Sequence, residues 1–362
     1  MFSYQHQYAW VRWGNVRSEI FPINNGTRQG SIASPVFWAV YCDLLIKELR
    51  QLGVGAYIAG VFMGASAYAD DLVLVAPTRH AMQLMLGVCE NYARCNNILF
   101  STDPNPSLSK TKCIFMVGKN INLVKPAPLT LNGRELPWVE TANHLGHMLH
   151  QNGTMEYDAK IARAKLIDQS VETRQSFSFA SPVEIIRALN IYCSSHYGSM
   201  LWDLGGEAAS QYFNSWSTAV KLSWECPRNT RTYLLQHVLS CGGPSAKVDI
   251  MARYSRFFRS LCQSPSKEVA ILANLIGRDK RSVTGRNVSQ IMEKTGCNVW
   301  SDSSVKVKAA LLEAEMVEVA AIDKWRLPYL DVLLQQRQEW HYLGESEEKE
   351  RVQGLIDSLC VN

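Results

Sequence analysis

The chain has 362 residues, of which 47% are hydrophobic and 19% are charged, and its formal net charge is +4. A chain of this length and apolar content can bury two or three cores, which excludes a disordered tail. It shows no signal-peptide pattern and no run of about 18 apolar residues, so we predict an intracellular protein that does not enter a membrane. The ten cysteines never form a Cys-x-x-Cys pair. This spacing favours reduced thiols over a zinc site, and we expect no disulfide partner.

The first predicted elements are two short strands, Tyr8–Trp13 and Ser18–Ile23, separated by the turn-prone pair Gly14-Asn15. Both segments alternate aromatic or β-branched residues with polar ones, which is typical of strands.

A helix is predicted from Ser34 to Gly53, because apolar residues recur there at helical spacing. Ser34 is expected to cap it, Pro35 suits its first turn, and Gly53 ends it. We expect its apolar side to pack on the sheet that carries the next motif; this side includes Phe37, Val40, Leu44 and Leu45.

Two adjacent carboxylates, Asp70 and Asp71, follow between the predicted strands Gly60–Tyr68 and Leu72–Pro77. The strands are close enough to pair as a hairpin with the two carboxylates at its tip. A helix over His80–Ile98 and a strand over Lys112–Gly118 come next. This order predicts the α+β class, with helices on one face of an antiparallel sheet.

From about Tyr157 the apolar period becomes helical. The predicted helices are Glu156–Phe177, Pro182–Trp202, Ala246–Gln263, Ser304–Trp325 and Glu348–Leu359. Glycine, proline and serine gather at three predicted breaks, Lys125–Pro137, Cys241–Ser245 and Lys294–Ser304.

Charge is uneven in this helical part. Residues 251–290 hold eight basic and two acidic residues, a local +6, whereas residues 301–362 hold seven basic and twelve acidic residues, a local −5. The basic block is either a surface that follows nucleic-acid phosphates or a set of ordinary solvated helix faces.

Adjacent carboxylates at a hairpin tip repel each other, which favours protonation of one of them unless a cation neutralises the pair. Magnesium takes hard oxygen ligands and needs only one or two protein carboxylates when it also holds substrate phosphates. Asp70 and Asp71 therefore either form part of a magnesium site or belong to an ordinary Asp-Asp turn.

The flanking motifs separate these alternatives. The segment NGTRQGSIASPVF (residues 25–37), then YADD (68–71) and SLSKTKC (107–113), resemble in order and spacing the palm subdomain of reverse transcriptases. Their flanks are similar to the non-LTR (LINE-type) retrotransposon class. HLGHML (144–149) resembles the segment that follows the palm in that class, and YGSMLWDL (197–204) and WECPRNTRTYLL (224–235) resemble its thumb. The resemblance extends from about Val11 to Gly296.

This resemblance implies a partial palm over residues 1–118, a connecting β segment over 119–155, a helical thumb over 156–240 and a C-terminal helical region over 246–362. It also implies an RNA template, a DNA primer and deoxynucleoside triphosphates as partners, two magnesium ions as cofactors, and a location in the cytoplasm and nucleus.

The same resemblance assigns residue roles. Asp70 and Asp71 are the expected catalytic metal ligands, and Lys110 is the expected cation near the leaving pyrophosphate, with Lys112 as the alternative. The residues expected to bind nucleotide, template or primer are Arg28, Gln29, Gly30, Ser34, Tyr68 and Ala69.

One family feature has no counterpart in this sequence. Reverse transcriptases carry a third carboxylate upstream of the RQG element, but the sole acidic residue among the first 27 is Glu19, which lies too close to that element. We therefore expect a polymerase fragment with little or no activity by itself; the alternative is an inactive remnant that at most binds primer-template. We also expect an open palm edge with exposed apolar side chains, and low solubility.

Overall fold

The computed structural model of the chain describes residues 7–23, 26, 30–103, 105, 108–117, 124–180, 182–193, 195–223 and 245–322. The chain divides into an N-terminal unit, Met1–Cys113 with Val124–Val139, and a C-terminal unit, Ile114–Leu123 with Glu140–Asn362. The predicted helix Glu348–Leu359 and the thumb-like segment 224–235 lie outside the described residues.

The N-terminal unit contains short strands and two helices. The strands are β1 Gln7–Ala9, β2 Arg12–Trp13, β3 Val16–Arg17, β4 Phe21–Ile23, β5 Tyr57–Ile58, β6 Val61–Phe62, β7 Ala65–Tyr68, β8 Asp71–Leu74, β9 Cys113–Ile114 (of which only Cys113 belongs to this unit), β10 Leu129–Leu131, β11 Arg134–Leu136 and β12 Trp138–Val139. The helices are α1 Ser34–Gln51 and α2 Arg79–Cys95. Antiparallel pairs form between β1 and β4, β2 and β3, β5 and β6, β7 and β8, and β10 and β11. The predicted α+β class is confirmed.

Helix α1 starts and ends near the predicted residues, with proline in its first turn and Gly53 at φ 72° just beyond its end. The predicted cap is wrong, because Ala33 takes the cap position and no side chain caps the helix. Ser34 is instead the first helical residue and is buried.

The predicted packing face of α1 is only partly correct. Leu45 is buried with Leu49 against residues of the β7–β8 hairpin. Phe37, Val40 and Leu44, however, are 47%, 68% and 57% exposed. The helix is apolar on more than one side, and the side that docks on the hairpin is the one that carries Leu45 and Leu49.

Helix α2 closes the core of this unit. The side chain of Thr78 caps it by accepting a hydrogen bond from the backbone N–H of Ala81 at 3.1 Å. Met85, Cys89 and Tyr92 are buried against α1 and the β7–β8 hairpin.

The predicted break Lys125–Pro137 contains a folded hairpin, β10–β11. Its three leucines, Leu129, Leu131 and Leu136, are buried against Leu86 of α2. The amide of Gln83 bonds both backbone groups of Thr130: Nε2 donates to the carbonyl and Oε1 accepts from the N–H, each at 2.9 Å. Proline and glycine therefore mark the ends and turn of this hairpin rather than a linker between domains.

The C-terminal unit is mainly helical. Its elements are β13 Thr141–His144, β14 His147–His150, α3 Glu156–Ser176, α4 Pro182–Tyr192, a 3₁₀ turn at Ser199–Leu201, α5 Glu207–Ser223, α6 Ala246–Cys262, α7 Lys267–Arg278, α8 Val283–Thr295 and α9 Ser304–Ile322. Helices α5, α7 and α8 were not predicted. The predicted helix Pro182–Trp202 is too long, since α4 ends at Tyr192 and both His196 and Gly198 have positive φ.

Two of the motif segments meet in this unit. Leu145 and Gly146, from HLGHML, form the turn between β13 and β14. Tyr197, from YGSMLWDL, donates its hydroxyl to the Leu145 carbonyl at 2.7 Å, and its ring stacks on His147 with centroids 4.8 Å apart. A Cβ on Gly146 would lie 3.2 Å from the Tyr197 ring, so glycine permits this close approach.

Candidate active site

The two predicted metal ligands lie at the tip of the β7–β8 hairpin. Tyr68 pairs with Asp71, which leaves Ala69 and Asp70 as a two-residue turn. The side chains of Tyr68, Asp70 and Asp71 are exposed. The predicted hairpin with both carboxylates at its exposed tip is therefore confirmed, and both side chains are accessible to solvent.

The turn has an unusual backbone for its sequence. Ala69 has φ 50°, whereas Asp70 is not among the residues with positive φ. A positive φ at the first turn residue alone is the φ pattern of a type II′ turn, where glycine is usual. The β2–β3 hairpin has the same φ pattern and does place glycine there, as Gly14 with φ 58°.

Three other hairpin turns also begin with a non-glycine residue at positive φ, but they place glycine at the second position. Ala59-Gly60, Asn132-Gly133 and Leu145-Gly146 have positive φ at both turn residues, with glycine second. This pattern is typical of type I′ turns. Of these five two-residue turns in the described part of the chain, the β7–β8 turn is the one that contains no glycine, and Ala69 takes glycine's place at its first position.

Trp38 of α1 contacts this turn directly. Its indole Nε1 donates a hydrogen bond of 2.6 Å to the carbonyl of Ala69. Its ring also lies against Tyr41, with centroids 6.0 Å apart. The Tyr41 hydroxyl donates to the carbonyl of Asn96, and the Tyr92 hydroxyl donates to the carbonyl of Tyr41. The acidic turn is thus linked through α1 to the C-terminal end of α2.

Trp38 was not among the predicted site residues. Its bond to Ala69 joins residues 31 positions apart, and it depends on how α1 docks on the hairpin. Apolar periodicity marks Trp38 only as one more large residue of an amphipathic helix.

The remaining predicted residues are placed as follows. Gly30 is exposed with φ 81°, four residues before the buried Ser34. Lys110 and Lys112 are both exposed. Arg28 and Gln29 lie outside the described residues. The roles of all these residues remain predictions.

The acidic pair offers two carboxylates to a metal ion. Among the described residues, no group of three or more His, Cys, Asp or Glu side chains is placed to hold one. Exposed carboxylate oxygens suit magnesium, which completes its coordination with water and substrate phosphates. The thiols of Cys89 and Cys113 in this unit are poor metal ligands at neutral pH, because burial raises the pKa of Cys89 to about 12 and that of Cys113 to about 11.

The basic block in the C-terminal unit is partly neutralised. Four of its eight cations have carboxylate partners: Arg253 with Asp249 at 2.6 Å, Lys280 with Glu293 at 3.8 Å, Arg281 with Asp279 at 3.0 Å and Arg286 with Asp203 at 2.6 Å. For these four, the interpretation as ordinary solvated helix faces is favoured over a phosphate-binding surface.

Comparison with known proteins finds a family match in the part of the chain that contains the acidic hairpin. Residues 2–149 match the family described as reverse transcriptase (RNA-dependent DNA polymerase). These residues, less than half of the chain, are similar to reverse transcriptases. The reverse transcriptase match includes the whole acidic hairpin, α1 and α2.

Two curated relatives come from retrotransposable elements of Drosophila melanogaster. The chain is 28% identical over 127 residues to the putative 115 kDa protein in type-1 retrotransposable element R1DM, covering 34% of this chain and 11% of that protein. It is 38% identical over 69 residues to the retrovirus-related Pol polyprotein from type-2 retrotransposable element R2DM, covering 19% of this chain and 6% of that polyprotein. The chain thus spans about a tenth or less of the length of these relatives. The resemblance to reverse transcriptases of non-LTR retrotransposons is confirmed. No described helix is long and apolar enough to span a bilayer.

Proposed function

We propose that the chain is part of an RNA-directed DNA polymerase of a non-LTR retrotransposon, with Asp70 and Asp71 as ligands of catalytic magnesium. The observation that carries the proposal is the exposed acidic tip of the β7–β8 hairpin within the residues that match the reverse transcriptase family. The partners would be an RNA template, a DNA primer and deoxynucleoside triphosphates.

The carboxylates have a specific task in this chemistry. Two magnesium ions, when bound, lower the barrier to attack of the primer 3′ hydroxyl on the α-phosphate and stabilise the leaving oxygen. Asp70, in the turn, would supply the main protein oxygen ligand, and Asp71, the first residue of β8, would support it. A bound cation would also relieve the repulsion between the two adjacent charges.

The neighbouring residues would position the substrates. Tyr68 and Ala69 would lie against the primer end, next to the metal ligands in the chain. Lys110, or Lys112, would neutralise charge that develops on the leaving pyrophosphate. The segment with Arg28, Gln29, Gly30 and Ser34 would approach the triphosphate and the template, and glycine there allows the backbone to pass close to a base pair.

We further propose that these 362 residues alone have little or no polymerase activity. A two-metal site with two carboxylates lacks one main ligand of the family, and Glu19 lies in the exposed β3–β4 connection shortly before the RQG segment. In the alternative, the chain is a remnant that at most binds primer-template. We also propose the domain limits that the resemblance implies. They are a partial palm over 1–118, a connecting β segment over 119–155, a helical thumb over 156–240 and a C-terminal helical region over 246–362.

Primer extension on an RNA template with magnesium tests the proposal. The 362-residue chain should extend primers weakly or not at all, whereas a version extended upstream in the genomic reading frame should be active. In the active version, Asp70→Ala should abolish extension without unfolding the protein, because it removes a metal ligand from an exposed turn.

Asp43→Ala is the matched control. Asp43 is also an exposed aspartate of the N-terminal unit, where it pairs with Lys47 on α1. This variant should keep full activity. Extension by an Asp70→Ala protein would refute the metal assignment, and no extension by the longer version would favour the inactive remnant.

A further inference from the structure

The turn that carries the proposed metal ligands holds a conformation that its own sequence disfavours. Alanine at φ 50° is uncommon, and a strained backbone of this kind persists only where surrounding contacts enforce it. The β2–β3 hairpin, with the same φ pattern, avoids the strain with Gly14. Ala59 and Leu145 take the first position of their turns at φ 49°, but each is followed by a glycine with positive φ, whereas the Ala69 turn contains no glycine. A contact from outside the hairpin can therefore stabilise this turn.

Trp38 supplies such a contact. Its indole N–H donates to the carbonyl of Ala69 at 2.6 Å, on the peptide group that leads into Asp70. The direction of this carbonyl depends on the backbone angles of the turn, so a donor fixed on α1 selects one turn geometry. Trp38 is half-buried and lies against Tyr41, and α1 is anchored on the core by the buried Leu45 and Leu49.

We propose that Trp38 is a positioning residue for the catalytic carboxylates: it holds the Ala69-Asp70 turn in its strained geometry through the indole hydrogen bond. This inference rests on the proposed function of Asp70 and Asp71 as metal ligands. Magnesium accepts only near-octahedral arrangements of its ligands, so the geometry of an exposed two-residue turn determines how well its carboxylates bind the ion.

Trp38→Phe removes the indole donor and keeps an aromatic ring in the same place. Ala69→Gly removes the need for that donor, because glycine adopts positive φ at little cost. If Trp38 acts by holding the strained turn, the second substitution should rescue the first. A tryptophan that only fills space beside the hairpin would show no such rescue, so the double variant separates the two roles.

A matched control exists in the same unit. Trp138 Nε1 donates to the carbonyl of Pro126 at 2.9 Å, so Trp138→Phe removes the same type of bond at another loop. Hydrogen exchange of the 362-residue chain, followed by mass spectrometry on peptides that cover Ala65–Leu74, reports the turn directly. Electron paramagnetic resonance of Mn²⁺ titrations reports metal affinity.

We expect Trp38→Phe to speed exchange at the hairpin at least several-fold and to weaken Mn²⁺ binding roughly 3- to 10-fold, the range that a loss of about one hydrogen bond implies. Trp138→Phe should change neither quantity. Ala69→Gly combined with Trp38→Phe should restore slow exchange and most of the Mn²⁺ affinity.

Several results would overturn the inference: unchanged exchange in Trp38→Phe, equal effects of Trp38→Phe and Trp138→Phe, absence of rescue by Ala69→Gly, or faster exchange with unchanged Mn²⁺ affinity. The paired variant Asp70→Asn with Asp71→Asn tests the proposed function separately. If it binds Mn²⁺ as well as the unmodified chain does, the metal site is wrong, while the exchange measurements still decide whether Trp38 holds the turn.

Discussion

The two units of the chain bury their apolar side chains in different ways. Among its described residues, the C-terminal unit has one core cluster of 24 buried residues drawn from most of its helices. The N-terminal unit has two small clusters, of five and four buried residues. It leaves large apolar side chains exposed, including Trp13 at 86%, Ile32 at 97% and Leu99 at 87%. Among the described residues, the helical unit therefore buries one large core, whereas the unit with the acidic hairpin buries two small clusters.

This difference predicts where a single substitution is most damaging. Trp202 is 1% exposed in the large core, and its Nε1 donates to Asp158 Oδ2 at 3.0 Å. Trp202→Ala should lower the free energy of unfolding of the C-terminal unit by about 4 kcal/mol, because it leaves a cavity and removes a partner from a buried carboxylate. Urea unfolding, together with hydrogen exchange of the α3 amides, measures this effect.

Trp13→Ala is the contrasting variant in the N-terminal unit. Trp13 occupies β2 and is 86% exposed, so its removal should change stability by less than about 0.5 kcal/mol. Losses of similar size from the two variants would contradict the comparison, since they would mean that the exposed tryptophan is also packed in solution.

The large core should also be sensitive to acid. Burial lowers the pKa of His196 from 6.5 to about 4, and the positive charge of Arg253 adds to this effect. The groups facing the ring are the Tyr212 hydroxyl, 3.0 Å from Nδ1, and Asp249, 3.9 Å from Nε2. Asp249 is in turn paired with Arg253 and lies 3.9 Å from Lys308.

The sign of the pH dependence follows from the lowered pKa. Below pH 6.5 the unfolded chain binds a proton at His196 that the folded chain does not, so the free energy of unfolding decreases as the pH falls towards 4. The full loss is about 3 kcal/mol. His196→Gln should flatten this part of the stability profile, measured by urea unfolding at a series of pH values. His80→Gln, at an exposed position of α2, should leave the profile unchanged.

Helix caps allow a direct comparison of the two units, with smaller expected losses than the substitutions in the large core. Thr78 caps α2 with one bond at 3.1 Å. Ser282 caps α8 by accepting from Gly285 N–H at 2.8 Å and also donates to the Ile276 carbonyl at 2.7 Å. We expect Thr78→Ala to cost about 1 kcal/mol and Ser282→Ala about 2 kcal/mol, because the latter also leaves a carbonyl without its partner. Thermal unfolding of the two variants, together with hydrogen exchange of the α2 and α8 amides, ranks the two stability losses. A larger loss for Thr78→Ala than for Ser282→Ala would refute this ranking.

Local signals explain what could be predicted from the sequence. The acidic hairpin follows from two apolar runs separated by polar residues, and α1 and α2 follow from their periodicity. The side of α1 that packs could not be predicted, because Phe37 and Val40 are as apolar as Leu45 and Leu49. Periodicity shows which residues are apolar, but not which face finds a partner.

The missed helices have physical reasons. Helix α5 buries several serines, and Ser215 and Ser223 each donate to the carbonyl four residues earlier, at 2.8 Å. Because these buried positions are polar, apolar periodicity does not reveal them. Helix α8 buries Asn287, which accepts from Leu204 N–H and donates to the Trp202 carbonyl. These bonds connect residues 83 and 85 positions apart. No local pattern contains them, and the same holds for the bond between Trp38 and Ala69.

The amide of Gln83 has a consequence for how the chain behaves at high concentration. Strand β10 would otherwise present the N–H and carbonyl of Thr130 as a free edge, to which a strand from another molecule could add. The side-chain amide occupies both groups, as the backbone of a neighbouring strand would. Gln83 of helix α2 thus occupies the backbone N–H and carbonyl of Thr130, which disfavours the addition of another strand at this edge of the two-stranded sheet.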